Sequence, residues 1–330
     1  MKQETGKQPT ICRPQIGTTR PLLHALARTA AAVIEAARPG MWLKPLFLML
    51  VASTYALGEW PNLMRLAAGF VIVGPLLWGG LYTINALTDV RDDARHPVKC
   101  LRPFPSGRLD PRLGAWVSGA AIVLAVALSW RFGWRFAVCV LLMMAKQLAY
   151  TLPPLRLKRR YAWDVVSGSL GNSTLRFAAG WFLVSNRWPL PLLLLVFAEC
   201  VQLAGFLVNR LFTNYSMGLE TQLHYDSTTT RVPTPLIQRA IAGCWAVGLA
   251  CLLMIMLNGQ LQIAPAWLGQ LPWQSLLVLA LLALALPFFQ RAMARADQLS
   301  YRDSQLCYDL PLAYMFVLSV ILSFIITTYS

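Results

Sequence analysis

Nine stretches of 17 to 23 mainly apolar residues recur along the chain, at 41–57, 66–87, 114–130, 132–152, 163–184, 189–209, 235–257, 270–290 and 309–328. About 20 such residues cross the hydrocarbon of a bilayer as one helix. In lipid the backbone polar groups must be satisfied within the segment, which restricts spanning structures to helices and closed barrels. Runs of this length and period predict an all-α, polytopic membrane protein with nine transmembrane helices. The separation of the third run from the fourth rests only on Arg131 to Arg135.

Charge placement tests that count. With nine spans, the segments on the amino-terminal side are 1–40, 88–113, 154–162, 210–234 with Arg239 just inside the next span, and 291–308, and they carry 22 of the 29 basic residues. The opposite side carries Arg65, Arg131, Arg135 and Arg187, while Lys44, Lys146 and Arg176 fall within or at the edges of spans. Basic residues concentrate in cytoplasmic loops, so the amino terminus is expected in the cytoplasm and the carboxyl terminus across the membrane. The same bias accounts for the net charge of +15, a basic face beside the anionic headgroups of membrane lipids. It argues against nucleic acid as a partner, since the cations are spread over five loops instead of striped along one domain.

Residues 1–40 lack the short apolar stretch and cleavage site of a signal peptide. Leu22 to Ala37 is amphipathic and suits a helix lying along the membrane surface. The expected organisation is a cytoplasmic amino-terminal segment, 1–40, followed by one intramembrane domain, 41–330. The seven cysteines form no CxxC pair and read as core-filling thiols. No Walker, dinucleotide or zinc signature is present, so ATP, NAD and zinc have no support.

Against this apolar background Asn85-Ala-Leu-Thr-Asp89-Val-Arg-Asp92-Asp93 gathers three carboxylates at the end of a run. On a continuous helix at about 100° per residue, with Asn85 at zero, Asp89 falls near about 40°, Asp93 near about 80° and Asp92 near about −20°. Four oxygen-bearing side chains then share one face, a donor set that suits Mg²⁺ held by carboxylates and substrate phosphates. The plainer reading is a solvated acidic loop neutralised by Arg91, Arg95 and Lys99.

Ionisable groups at membrane depth are functional candidates with ordinary explanations beside them. Lys146, next to Gln147, either lines a site or snorkels to the interface. Glu199 and Gln202 share a face, with Asn209 beyond, and suit either a lining or an interhelical network. Arg176 is followed by Phe-Ala-Ala-Gly-Trp and is a candidate partner for Glu199. After the fourth run, Tyr150-Thr-Leu-Pro153-Pro154-Leu-Arg156-Leu-Lys158-Arg159-Arg160 reads as a proline-broken helix end leading into a cationic cluster. Such a cluster can clamp a diphosphate through charge-assisted bonds. Ordinary loop topology would also put cations here, and the same holds for Lys99, Arg102 and Arg108. Both basic loops and the acidic motif fall on one membrane face.

Taken together, these residues resemble the UbiA superfamily of intramembrane prenyltransferases from Arg38 to the ninth run. Asn85-xxx-Asp89-xxx-Asp93 is similar to its first aspartate-rich motif. Arg95-His-Pro97 through Arg102-Pro103 to Gly107 resembles the stretch after it, Arg38-Pro39-xx-Trp42 the start of its first helix, and Tyr150 to Arg160 its YSxPPLRLK segment. The resemblance implies a nine-helix bundle around a central cavity that opens on the cytoplasmic side. It implies an isoprenyl diphosphate and a lipophilic acceptor as substrates, and Mg²⁺ as cofactor. Asp89 and Asp93 would hold the metal, with Asn85 and Asp92 assisting. Arg38, Lys99, Arg102, Arg156 and Lys158, with Lys146, would face the donor, and Tyr150 would steady a carbocation.

The second motif departs from the family. Where DxxxD is usual, the chain has Asn214-Tyr-Ser216-Met-Gly-Leu-Glu220, then His224-Tyr-Asp226 and the threonines 228–230. A rearranged ligand set using Glu220 and Asp226 is the preferred reading, against a single metal or a loss of transfer activity. Phosphoribosyl transfer from phosphoribosyl diphosphate to a polyprenyl phosphate is the alternative within the superfamily. A non-catalytic lipid-binding protein is the alternative outside it, and a transporter fits less well because the acids sit at a helix end. Acceptor and prenyl length depend on cavity shape, which helix order leaves open, as it does the oligomeric state.

Overall fold

In a computed structural model the structure describes residues 22–95, 99–160, 163–216, 233–261 and 319–328, with positions 265 and 317. Among the described residues there is no strand. The helices are α1 (Leu22–Ala36), α2 (Leu43–Leu57), α3 (Leu63–Val71), α4 (Gly79–Thr88), α5 (Val90–Arg95), α6 (Pro111–Ser129), α7 (Trp134–Thr151), α8 (Trp163–Ser169), α9 (Asn172–Val184), α10 (Leu192–Ser216) and α11 (Thr234–Leu261). Among the described residues four helical rods are long and apolar enough to cross a membrane: Pro39–Leu57, Leu63–Thr88, Pro111–Phe132 and Pro235–Asn258. They coincide with the first, second, third and seventh runs. Leu192–Leu207 and Ser319–Thr328 are shorter apolar helices. The eighth run, 270–290, lies outside the described residues.

Local chemistry sets the helix limits. Asn62 caps α3 by accepting from the Arg65 backbone N–H at 3.1 Å. Asp110 caps α6, with Oδ1 accepting from the N–H groups of Arg112 and Leu113 at 2.7 and 3.0 Å ahead of Pro111, and so satisfies donors that a helix start leaves orphaned. The α3–α4 rod passes through a π-helical stretch, Ile72–Trp78, that contains Pro75. Proline has no N–H to continue the ladder, and a wider turn absorbs it. A 3-10 turn, Trp130–Phe132, and Gly133 at φ 106° separate α6 from α7, which is the division expected from the arginines there.

The fifth run, read as one span, is two helices. It breaks at Gly171, whose φ of 77° is left-handed, so that α8 ends at Ser169 and α9 restarts at Asn172. Lys146, from α7, fills the gap: its Nζ donates to Ser167 O at 2.6 Å and to Asn172 Oδ1 at 2.9 Å. The Asn172 amide in turn donates to Gly168 O at 2.6 Å.

The main core cluster gathers around Met49, Leu77, Phe136, Val140, Met143, Phe177 and Leu183. Its tightest seam is α2 against α9. At Gly180 an added Cβ would stand 2.4 Å from Met49 Cα, and Ser53 Oγ donates across the seam to Gly180 O at 2.8 Å. Small residues of this kind let membrane helices approach backbone to backbone. Gly180→Ala is therefore expected to force the helices apart and cost about 1–3 kcal/mol. The check is a lower melting temperature in detergent, with Gly205→Ala as the control, since a Cβ there meets nothing within 4 Å.

The amphipathic segment folds as α1 and packs on α4, burying Ala32 and Ala36 with Ala86, Phe104 and Leu109. Glu35 accepts two bonds from Arg108, at 2.7 and 2.8 Å. The amino-terminal helix is thereby tied to the loop that follows the acidic motif.

Candidate functional site

The acidic motif does not continue as one helix. Asp89 has φ −102° and ψ 4°, ending α4, and a short α5 begins at Val90. The single-faced arc expected of an unbroken helix is corrected accordingly: each carboxylate turns to a different cation. Asp89 Oδ1 pairs with Lys158 Nζ at 2.6 Å, Asp93 Oδ2 with Arg102 Nη1 at 2.8 Å, and Asp92 Oδ2 with Arg159 Nη2 at 2.5 Å. Asp93 is 2% exposed. Among the described residues no three acids, histidines or cysteines gather in a metal-holding group.

What the fold does bring together is Asn85, Thr88 and Asp89 from the end of α4 with the basic turn after α7. That turn enters through Arg156 at φ 38° and closes as a 3-10 turn, Leu157–Arg159. Lys158 Nζ thereby donates to Asn85 Oδ1 at 3.1 Å and Thr88 Oγ1 at 2.9 Å as well as to Asp89. Arg156 Nη2 donates to Thr88 O at 3.1 Å. Thr151 Oγ1 donates to Asn85 Oδ1 at 3.2 Å, and Asn85 Nδ2 to Asp89 Oδ2 at 3.2 Å. Burial pulls the Lys158 ammonium below the usual lysine pKa; the Asp89 charge opposes this, and Arg156 and Arg159 reinforce it. The sequence reading missed Thr88 and Thr151, although each is adjacent to a residue that it did single out.

Arg38, left-handed at φ 55° before Pro39, holds its guanidinium carbon 5.6 Å from the centre of the Tyr82 ring. Its pKa is lowered by burial and by Arg102, and is supported by the charges of Tyr82, Asp93 and Asp89. Lys99 opens a 3-10 turn, Lys99–Leu101, and its carbonyl accepts from the Arg102 N–H at 3.0 Å. Tyr150 lies against α8, where a Cβ on Gly168 would stand 3.3 Å from its ring. Lys146 belongs to the helix break. Lys146→Met would remove the donor to two buried acceptors, at about 1–3 kcal/mol. The expected result is a lower melting temperature, and an unchanged melting temperature with a reduced rate would instead mark a substrate contact.

Arg176 and Glu199 do not form the ion pair considered from sequence. Glu199 Oε1 accepts from the Thr174 N–H at 2.6 Å, near the start of α9, while Arg176 lies over Trp78, 4.3 Å from the ring centre. Glu220 and Asp226 fall outside the described residues.

Among the described residues the chain is an all-helical apolar bundle whose oxygen-rich helix end is clasped by a basic turn. The chain belongs to the UbiA prenyltransferase family, whose profile matches residues 45–320, and it is thus an integral membrane protein. The bacteriochlorophyll synthase 33 kDa chain of Cereibacter sphaeroides is 33% identical over 135 residues, 40% of this chain and 43% of that one, so the match spans less than half of that relative. The decaprenyl-phosphate phosphoribosyltransferase of Mycobacterium tuberculosis is 26% identical over 235 residues, 67% of this chain and 74% of that protein. In fold, the chain resembles a UbiA homologue of Archaeoglobus fulgidus bound to DMAPP and Mg²⁺, with a TM-score of 0.62 and 19% identity over 90% of this chain and 99% of that one. It also resembles a UbiA homologue of Aeropyrum pernix, with a TM-score of 0.64 and 14% identity over 86% and 98%.

Proposed function

We propose that the protein transfers a prenyl group from an isoprenyl diphosphate to a lipophilic acceptor within the membrane, in an Mg²⁺-dependent reaction. The observation that carries this reading is the clasp of Lys158 on Asn85, Thr88 and Asp89. An ammonium ringed by three oxygens at 2.6–3.1 Å marks a position suited to a cation, and the donors are all hard oxygens, as Mg²⁺ prefers. The residues thus fit the ion. Asn85 and Asp89 would hold it at the Lys158 position, Asp93 and Asp92 would join by leaving Arg102 and Arg159, and Glu220 and Asp226 would supply a second set. The ion's contribution there is neutralisation of the departing diphosphate.

This chain's own residues do the rest. Arg156 and Lys158 on one loop, Arg102 and Lys99 on another, and Arg38 at the start of α2 present donors to phosphate oxygens at the moment charge develops on them. The apolar walls hold the isoprenoid and exclude the water that would quench a carbocation. Tyr150 offers a ring face to that cation. The same reading carries nine spans around a central cavity, with the amino terminus cytoplasmic and the carboxyl terminus on the other side.

Phosphoribosyl transfer to a polyprenyl phosphate remains the second reading, favoured by the longer match to the mycobacterial phosphoribosyltransferase. The test is diphosphate release by the purified chain, with and without Mg²⁺, from prenyl diphosphates of several lengths and separately from phosphoribosyl diphosphate with polyprenyl phosphate, each with membrane-lipid extract. Mg²⁺-dependent release from a prenyl donor alone supports the proposal. Release from the ribosyl donor alone replaces it with the second reading, and no release from either favours a non-catalytic lipid-binding role.

A further inference from the structure

Two arginines that the proposed reaction would use hang from one glutamate outside the acidic motif. Arg102 sits in the segment 99–109, which is folded on itself. Its carbonyl accepts from the Ser106 N–H and Oγ at 3.0 and 2.6 Å, the Phe104 carbonyl from the Gly107 N–H at 3.1 Å, and the Pro103 carbonyl from the Leu109 N–H at 3.0 Å. Such a knot keeps its own shape and has to be set in place from outside. On its apolar side Phe104 and Leu109 are buried with Ala32, Ala36 and Ala86. On its polar side stands Arg108, with all three guanidinium nitrogens engaged within the protein. Nη1 and Nη2 donate to Glu35 Oε2 and Oε1 at 2.7 and 2.8 Å, Nη2 also to Leu101 O at 2.6 Å, and Nε to Ser106 Oγ at 3.1 Å. Glu35 is thus joined through Arg108 and Ser106 to the Arg102 carbonyl by an unbroken chain of hydrogen bonds.

The backbone of the same glutamate holds the other arginine. Glu35 O accepts from the Arg38 N–H at 3.2 Å where α1 ends. Arg38 and Arg102 lie near enough for their charges to act on one another, and like charges push apart. Asp93 restrains Arg102 at 2.8 Å, but a carboxylate given over to a metal no longer does so. The loop then depends on its apolar packing and on the Glu35–Arg108 join. That pair is about half-exposed on both sides, so it adds little to global stability. Its two parallel bonds fix direction, which is what an anchor for a loop requires.

We infer that Glu35 is a positioning residue for the donor's diphosphate: through Arg108 it holds the 99–109 loop, and with it Arg102, in register with Arg38. The inference rests on the proposed function for the diphosphate, which prenyl and phosphoribosyl donors share. It adds to that reading a residue of the amino-terminal helix that acts only through another side chain.

The test is equilibrium binding of inorganic diphosphate with Mg²⁺ to the purified full chain in detergent, with maleimide labelling of Cys100 followed alongside by peptide mass spectrometry. Cys100 lies in the same loop and is 4% exposed, so its labelling speeds up when the loop lifts. Glu35→Ala is expected to weaken diphosphate binding about three- to tenfold and to speed Cys100 labelling by a similar factor, with the melting temperature little changed. Arg108→Ala should do the same, and the double variant should be no worse than Arg108→Ala alone, because the two side chains act as one unit. With a donor that turns over, the loss should fall on KM and leave kcat in place. Where Glu35→Ala fails to fold, Glu35→Gln, which keeps one acceptor for Arg108, is read in its stead. Unchanged diphosphate affinity, unchanged Cys100 labelling, additive losses in the double variant, or a loss confined to kcat would overturn the inference. A fall in melting temperature that accounts for the whole loss of binding would overturn it too, by reducing Glu35 to a structural role. A parent chain that binds no diphosphate would sink the transferase reading instead, and the Cys100 rates with and without Glu35 would then decide the anchor alone.

Discussion

Asp89→Asn should lower the rate of donor diphosphate release at least tenfold, about 1.4 kcal/mol of barrier, in a chain that stays folded. The substitution keeps shape and removes charge, and Asp89 is the carboxylate on which Asn85 and Lys158 converge. Loss of that charge weakens the hold on a divalent ion and leaves the Lys158 ammonium without its counter-charge. Asp93→Asn should lower the rate comparably but through a different route, since the buried Asp93 also anchors Arg102 at 2.8 Å. Removing one partner of a buried pair leaves the other uncompensated, so some loss of melting temperature accompanies it. Single-turnover rates across a range of Mg²⁺ concentrations provide the measurement. Full rates for both variants would remove the metal site from the first acidic motif.

The second large effect is expected at Lys158, and it has two signs. The ammonium occupies oxygens that a divalent ion would use, yet it is also placed to meet the donor's phosphates. Lys158→Met should therefore raise the KM for the donor at least tenfold, about 1.4 kcal/mol. It should also reduce the Mg²⁺ concentration needed for half-maximal rate, because a competing cation has gone. Titration of Mg²⁺ at saturating donor, followed by titration of donor at saturating Mg²⁺, separates the two. A parallel rise in both constants would mean that Lys158 holds the site together without competing for it.

The first, second, third and seventh runs were legible as helices because lipid enforces length and apolarity on each one, and the Asn85-to-Asp93 motif because acids at the end of such a run are costly. Wheel geometry failed at Asp89: it assumes a continuous helix, whereas the turn there depends on what α4 meets, including the Lys158 clasp assembled from residues about 70 positions away. The break at Gly171 was hidden for a related reason. Gly171 sits among apolar neighbours in a run that is long enough to cross, and the lysine that makes the break tolerable is on another helix. Arg176 was noticed as a buried charge, but its neighbour could be named only once Trp78 was placed beside it.

If the proposed function holds, the contact at Gly180 also bears on how a long isoprenoid gets in. With the backbone of α9 resting on Met49 and Ser53 donating across the join, α2 and α9 have no slack to part and no play to slide. That join acts as a fixed spine, and the doorway for a lipid tail has to be a seam where the helices touch through longer, rotatable side chains.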